Sequence, residues 1–359
     1  MRRRDLLASI LGLPAAAAPV RAIEDGAPRP LVFPADFGAH PQFRTEWWYA
    51  TGALEAGSRL FGFQITFFRA ASGIRTDHPS RFAATQIVFA HAALTDLEAR
   101  RLRHDDRIAR SGFGVAEADT GDTHVILRDW RFDRAGGAVA SRYRARVPAG
   151  AAGFGFDLRL AATQPLLLQG LGGWSRKGPK PEAWSRYYSE PQLAVEGTLA
   201  LDGRELAVRG RAWLDHEWSD AYLDPEAVGW DWIGMNLDDG AALMAFRIRR
   251  RDGSALYTGG SYRAPGAATR DFASDEVRFV PGRRWTSAAS RASYPVEWTV
   301  ETPAGRHVVR ALLDDQELDS RASTGAIYWE GLSDLLDARG ARVGRGYLEM
   351  TGYSAPLVL

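Results

Sequence analysis

The sequence has no cysteine, so disulfides, thiolate metal centres and cysteine nucleophiles are all excluded. Lysine is nearly missing too: Lys177 and Lys180 are the whole complement, and arginine carries almost all of the positive charge. No Gly-x-Ser-x-Gly elbow, phosphate loop or glycine fingerprint after a strand occurs. Serine hydrolases of the common fold and nucleotide enzymes are thereby set aside. Long helical periodicity is scarce. The apolar run from Leu6 to Val20 is short and broken by Pro14 and Pro19, too little to span a bilayer. Basic and acidic side chains nearly balance, at 45 against 44. That balance leaves no electrostatic footprint for nucleic acid or anionic lipid.

What is present begins with a leader. Met1-Arg2-Arg3-Arg4-Asp5-Leu6-Leu7 precedes an alanine-rich apolar stretch that ends near Ala22, the plan of a secretory signal peptide. The paired arginines also match part of a twin-arginine signal, with Leu6 and Ala8 where phenylalanine and lysine are usual. General secretion is the alternative route. Residues 1–22 are therefore expected to be removed and the mature protein to be periplasmic. Without the leader's four arginines and Asp5 the chain stays close to neutral, and with no disulfide its stability must come from burial.

Strand-like alternation recurs throughout the remainder. In Leu60-Phe61-Gly62-Phe63-Gln64-Ile65-Thr66-Phe67 the residues Phe61, Phe63, Ile65 and Phe67 share one face. Similar runs follow at 86–91, 125–130, 156–160, 193–201, 241–248, 296–300 and 307–312, several of them separated by Asp-Gly turns such as Asp202-Gly203 and Asp239-Gly240. The expected fold class is all-β, as barrels or sandwiches. Sliding the chain by 183 residues, from Trp47 to Trp230, also lays Leu54 on Leu237, Gly57 on Gly240, Leu60 on Leu243, Phe63 on Phe246 and Ile65 on Ile248. This predicts a duplicated unit, with domains at 23–218 and 229–359 joined through 219–228, a stretch that holds Asp224-Pro225 and little apolar pattern.

Chemistry concentrates in a few segments. Gln169 to Pro191 mixes glycine and proline with Trp174, Trp184, Tyr187 and Tyr188; such a loop either lines a pocket or is pinned to the barrel by its aromatics. Its two lysines show no pattern of burial. In Glu46-Trp47-Trp48-Tyr49, strand parity puts Glu46 and Trp48 on one side and Trp47 and Tyr49 on the other; Asp231 likewise points away from Trp230 and Trp232. A carboxyl turned into an apolar barrel has a raised pKa and suits general acid work, and tryptophan faces stabilise a cation. The alternative is that each carboxylate pairs with an arginine such as Arg44 or Arg211. His216, between Asp215 and Glu217 and close to Trp213 and Trp218, can relay a proton or can sit satisfied at a domain junction. His216-Glu217-Trp218-Ser219-Asp220 lacks the second histidine of a zinc helix, so no metal is expected.

The segments Phe33-Pro34-Ala35-Asp36-Phe37-Gly38-Ala39-His40-Pro41, Arg44-Thr45-Glu46-Trp47-Trp48-Tyr49, Ala212-Trp213-Leu214-Asp215-His216-Glu217-Trp218, Gly229-Trp230-Asp231-Trp232, Tyr328-Trp329-Glu330-Gly331 and Gly346-Tyr347-Leu348-Glu349-Met350 resemble the lipocalin-like AttH and carotenoid 1,2-hydratase family. The resemblance covers nearly the whole mature chain and is closer to the exported AttH-like branch. It implies two tandem lipocalin-like β-barrels, an apolar isoprenoid or lipid ligand, and either hydro-lyase chemistry on a carbon–carbon double bond or a non-catalytic role as a lipid carrier or accessory of an envelope transporter. No cofactor is implied. The residues that would carry the chemistry are Asp231 or Glu46 as proton donor and His216 to orient water. Trp47, Trp48, Tyr49, Tyr188, Trp218, Trp230 and Trp232 would form the ligand wall.

Overall fold

The computed structural model describes residues 29–221 and 223–357; the leader expected at 1–22 lies outside the described residues. Among the described residues the chain is built from antiparallel strands and two short 3-10 turns, Ala35–Phe37 and Gly150–Ala152, with no α-helix. The strands form two large sheets. The first, of 13 strands, runs from Thr45 to Ala221, and the second, of 10 strands, from Ala227 to Met350.

Both sheets follow one connectivity. In the first, Arg101–Arg110, Gln86–Asp96, Arg59–Ala71 and Thr45–Ala56 lie side by side, and Thr45–Ala56 then pairs with the distant strand Arg204–Ala221, which pairs with Trp184–Leu201. In the second, Arg270–Phe272, Ala255–Arg263, Ala242–Arg250 and Ala227–Leu237 are followed by Arg342–Met350 and Ala326–Leu336. The first strand of each unit is thus sealed to its last, which nearly closes the sheet into a lipocalin-like barrel. That seam places Tyr49 opposite Asp215 in the first sheet and Trp232 opposite Glu349 in the second.

The 183-residue match holds along the first strand of each unit and fails at the turn. Trp47 lies opposite Phe68, whereas Trp230 lies opposite Ile248, which the shift equates with Ile65 rather than Phe68. Both turns carry a glycine at positive φ, Gly57 at 62° and Gly240 at 92°, but the second turn is longer, so the return strands are out of step by an odd number of residues. An odd slip turns every side chain to the other face. Phe63 therefore packs inside the first barrel, while Phe246, its partner by sequence shift, faces out of the second.

Each barrel has its own core. Trp48, Phe61, Phe63, Phe67, Trp130 and Leu158 fill the first, and Ile233, Met235, Trp298, Trp329 and Leu348 the second. A third cluster lies between them, where Tyr49, Tyr187 and Trp213 from the first sheet meet Trp232, Phe246, Ile248, Leu332 and Tyr347 from the second. The strand parity expected at both tryptophan segments is what creates it: Trp48 goes inward, while Trp47, Tyr49, Trp230 and Trp232 turn out to the junction.

Candidate active site

The expected catalytic residues fall in two separate environments, Glu46 with His216 in one and Asp231 in the other. Glu46 lies inside the first barrel with 0% exposure. Its Oε1 is 2.7 Å from His40 Nδ1 and 2.9 Å from His216 Nε2, and its Oε2 accepts from Arg69 Nε at 2.7 Å and from the His40 amide at 2.8 Å. Burial works to raise the carboxyl pKa, but the hydrogen bonds from His216 and His40 overcome it and hold Glu46 well below the usual carboxylate range. Glu46 is a fixed anion there.

His216 is equally enclosed. Burial pushes its pKa down to about 4, so a neutral ring donates to Glu46 and accepts from Tyr188 Oη at 3.1 Å on the other nitrogen. Trp48 stacks on it at 4.6 Å, and Trp218 stacks on His40 at 3.8 Å. For His40, burial opposes the charge, but Asp36 and Glu46 on its two nitrogens keep its pKa above the ordinary value. His40, Glu46 and His216 bring possible ligand atoms within 4.8 Å of one another, the one such group among the described residues. Each nitrogen facing Glu46 is already hydrogen-bonded to it, and Arg69 supplies countercharge, so the triad is satisfied without a cation. Trp48, Tyr188, His216 and Trp218 belong to this packed network.

Asp231 occupies the interior of the second barrel, also at 0% exposure. It accepts from Arg247 at 2.6 and 2.9 Å and from Tyr353 Oη at 2.7 Å, with Arg249 at 3.1 Å. The alternative of arginine pairing is the one observed for both carboxylates, through Arg69, Arg247 and Arg249 rather than Arg44 or Arg211. Asp231 is thus an ion-pair acceptor between two guanidinium groups inside the second barrel.

A cavity of about 330 Å³ opens between the two sheets. Trp47, Tyr49, Phe68, Phe89, Trp230 and Trp232 form its apolar wall, and Glu46 and Arg69 border it. Its acidic lining is made by Asp215, Glu217, Glu330 and Glu349. Asp215 accepts from Tyr187 Oη at 2.7 Å, Ser189 Oγ at 2.5 Å and Trp213 Nε1 at 2.7 Å, yet burial pushes its pKa up to about 7. Glu330 and Glu349 are direct cross-strand neighbours. Burial raises both, Glu349 to about 8, and the charge of Glu349 raises Glu330 further. His91 hydrogen-bonds Tyr328 Oη and Ser323 Oγ, each at 2.9 Å, and burial lowers its pKa to about 3, leaving a neutral ring.

Lys177 is the other departure from expectation. Far from lying on an open loop, it is 1% exposed. Its Nζ is 2.8 Å from Glu217 Oε1 and lies over the rings of Tyr187 and Phe246 at 4.7 and 4.5 Å. The Gly/Pro-rich segment is thus pinned at the junction, with Gln169 and Gly170 bonded to Ser261 and Asp271 of the second unit.

The sequence reasoning missed Asp215, Glu330, Glu349, His91 and Tyr328 as pocket residues. Asp215 and Glu349 had one usable signal: each sits across a strand pair from an outward-facing aromatic, Tyr49 and Trp232. That pairing requires knowing which strands adjoin.

A model of the AttH-like family matches residues 25–353. The chain belongs to the AttH-like family. It is similar over 92% of its length to the whole of a candidate AttH from Nitrosomonas europaea, with 48% identity and a TM-score of 0.84. Two more distant solved structures share this AttH-like fold. Kievitone hydratase from Nectria haematococca has 15% identity and a TM-score of 0.66, over 91% of this chain and 94% of that one. CghA, solved with Sch210972, has 12% identity and a TM-score of 0.51, over 87% and 89%. A comparison with curated protein sequences gave no match.

Proposed function

We propose that this AttH-like protein is an exported hydratase that takes an apolar molecule into the cavity between its barrels and adds water across a carbon–carbon double bond. The observation that supports this is the pair of buried Glu330 and half-buried Glu349 on the wall of an aromatic-lined cavity. Two adjacent carboxyls without a cation retain a proton near neutral pH, and a tryptophan wall stabilises the carbocation formed when that proton is delivered. Kievitone hydratase, whose name records a hydration, has the same fold.

In this scheme Glu349 gives its proton to one alkene carbon, and Trp230 and Trp232 face the cation left on the other. Water adds there, and its excess proton returns through the neutral ring of His91 or directly to the carboxylate. The sum is one water added, with the acid regenerated and no cofactor consumed. Export rests on the arginine-led leader, and the periplasm is the proposed location.

The test is turnover of isoprenoid alkenes by the purified mature chain, followed by mass spectrometry in ¹⁸O-water. Glu349→Gln is expected to lower kcat by at least about 100-fold, the usual worth of a positioned general acid, while the fold is retained. Unchanged turnover in that variant would remove the acid role. Retention of an apolar ligand without any hydrated product would leave the protein as a carrier or transporter accessory.

A further inference from the structure

The acidic groups of the junction cavity are satisfied in unequal ways. Asp215 has three neutral donors, and Glu217 has Lys177. Glu330, 3% exposed, has only the phenol of Tyr49 beside it, and that contact falls short of ordinary hydrogen-bond geometry, so Glu330 Oε1 and Tyr49 Oη stay under-satisfied among the described residues. Both residues line the cavity. Buried polar atoms are nearly always paired, and an orphan is costly. Two such atoms on one cavity wall mark where a bound molecule supplies the missing partner.

The sign of the wall limits what that molecule is. The basic side chains bordering the cavity are already engaged. Arg69 bonds Glu46, Gln86 and the Phe43 carbonyl, Arg321 bonds Asp319, and Lys177, behind the wall, bonds Glu217. An entering anion would lose its hydration among carboxyl groups and gain no free cation among the described residues. A hydroxyl or carbonyl oxygen meets the opposite situation, because a protonated carboxyl donates to it and a phenol donates or accepts. The volume of about 330 Å³ is at the small end for ligand pockets. It suits a short terpenoid or the end group of a longer chain.

We infer that the cavity selects an uncharged hydrophobe bearing a hydroxyl or carbonyl oxygen, held at Glu330 and Tyr49, and rejects carboxylate-bearing lipids of the same skeleton. This rests on the proposed reading of the cavity as the ligand site, and adds to it the class of ligand.

Three molecules with one fifteen-carbon skeleton separate the cases: farnesol, the hydrocarbon farnesene and the anion farnesoate. Binding to the whole mature chain at pH 7.5 is read from quenching of the lining tryptophans. Farnesol is expected to bind at least tenfold more tightly than farnesene, and farnesoate more weakly than either. In Glu330→Leu the advantage of farnesol over farnesene is expected to vanish while farnesene still binds. The wild-type ranking is decisive even if that variant does not fold. Farnesoate binding as tightly as farnesol overturns the selection and leaves the cavity reading standing, and farnesol binding no better than farnesene overturns the role of the oxygen. Failure of all three ligands overturns both the selection and the cavity reading.

Discussion

Glu46 and Asp231 are both wholly buried acids beside tryptophans, and a one-dimensional reading gives them one role. Their partners give them another. Glu46 joins His40, His216 and Arg69, and Asp231 joins Arg247, Arg249 and Tyr353. Removing one partner of such a network leaves buried charge uncompensated, which costs roughly 3–5 kcal/mol. Glu46→Gln and Asp231→Asn are therefore expected to lose about that much stability in urea titrations. Hydration per folded Asp231→Asn molecule should remain near the wild-type rate. A selective loss of kcat at unchanged stability would restore Asp231 to the chemistry.

At the scale of elements, strand alternation was legible because its period of two is a steric property of the chain. It correctly separated Trp48 from Trp47 and Tyr49, and Asp231 from Trp230 and Trp232. The return strands defeated the same reasoning, because the register is set by turn length and the two turns differ. The segment from Gln169 to Pro191 was ambiguous for a related reason: nothing local announces that Lys177 reaches Glu217 across a strand pair and over Phe246. Lys177→Met should destabilise the protein by about 3 kcal/mol, since it strands a buried carboxylate. Lys177→Met combined with Glu217→Gln should recover part of that loss. Denaturation of the two single variants and the double variant gives the coupling directly, and strictly additive losses would show that the ion pair does not anchor the segment.

For the whole molecule, the junction carries a pH dependence. Glu349 has a folded pKa of about 8, against 4.5 when exposed, and Asp215 about 7 against 3.8. The folded state thus binds more protons than the unfolded state between those values, so these groups contribute a loss of stability as pH rises from about 4 to 8. Glu349→Gln removes one such group. Its stability relative to wild type should rise across that window by an amount on the order of a few kcal/mol, measured by denaturant titration at pH 5 and pH 8. A constant difference at the two pH values would mean that Glu349 is ionised in the folded protein throughout.

The sequence by itself determined the all-β class, the repeated tryptophan segments, the side of the strand on which each of their residues lies, and the family resemblance. All of these depend on neighbours along the chain or on composition. Only the tertiary structure decided which carboxyl groups are paired and which line the cavity. Arg69 reaches Glu46 across a hairpin, Arg247 reaches Asp231 in the same way, and Glu330 meets Glu349 through a strand pairing. A carboxyl group's protonation follows from its burial and its partners in space, so the two tryptophan segments could point to the junction without revealing that its acids come from the strands beside them.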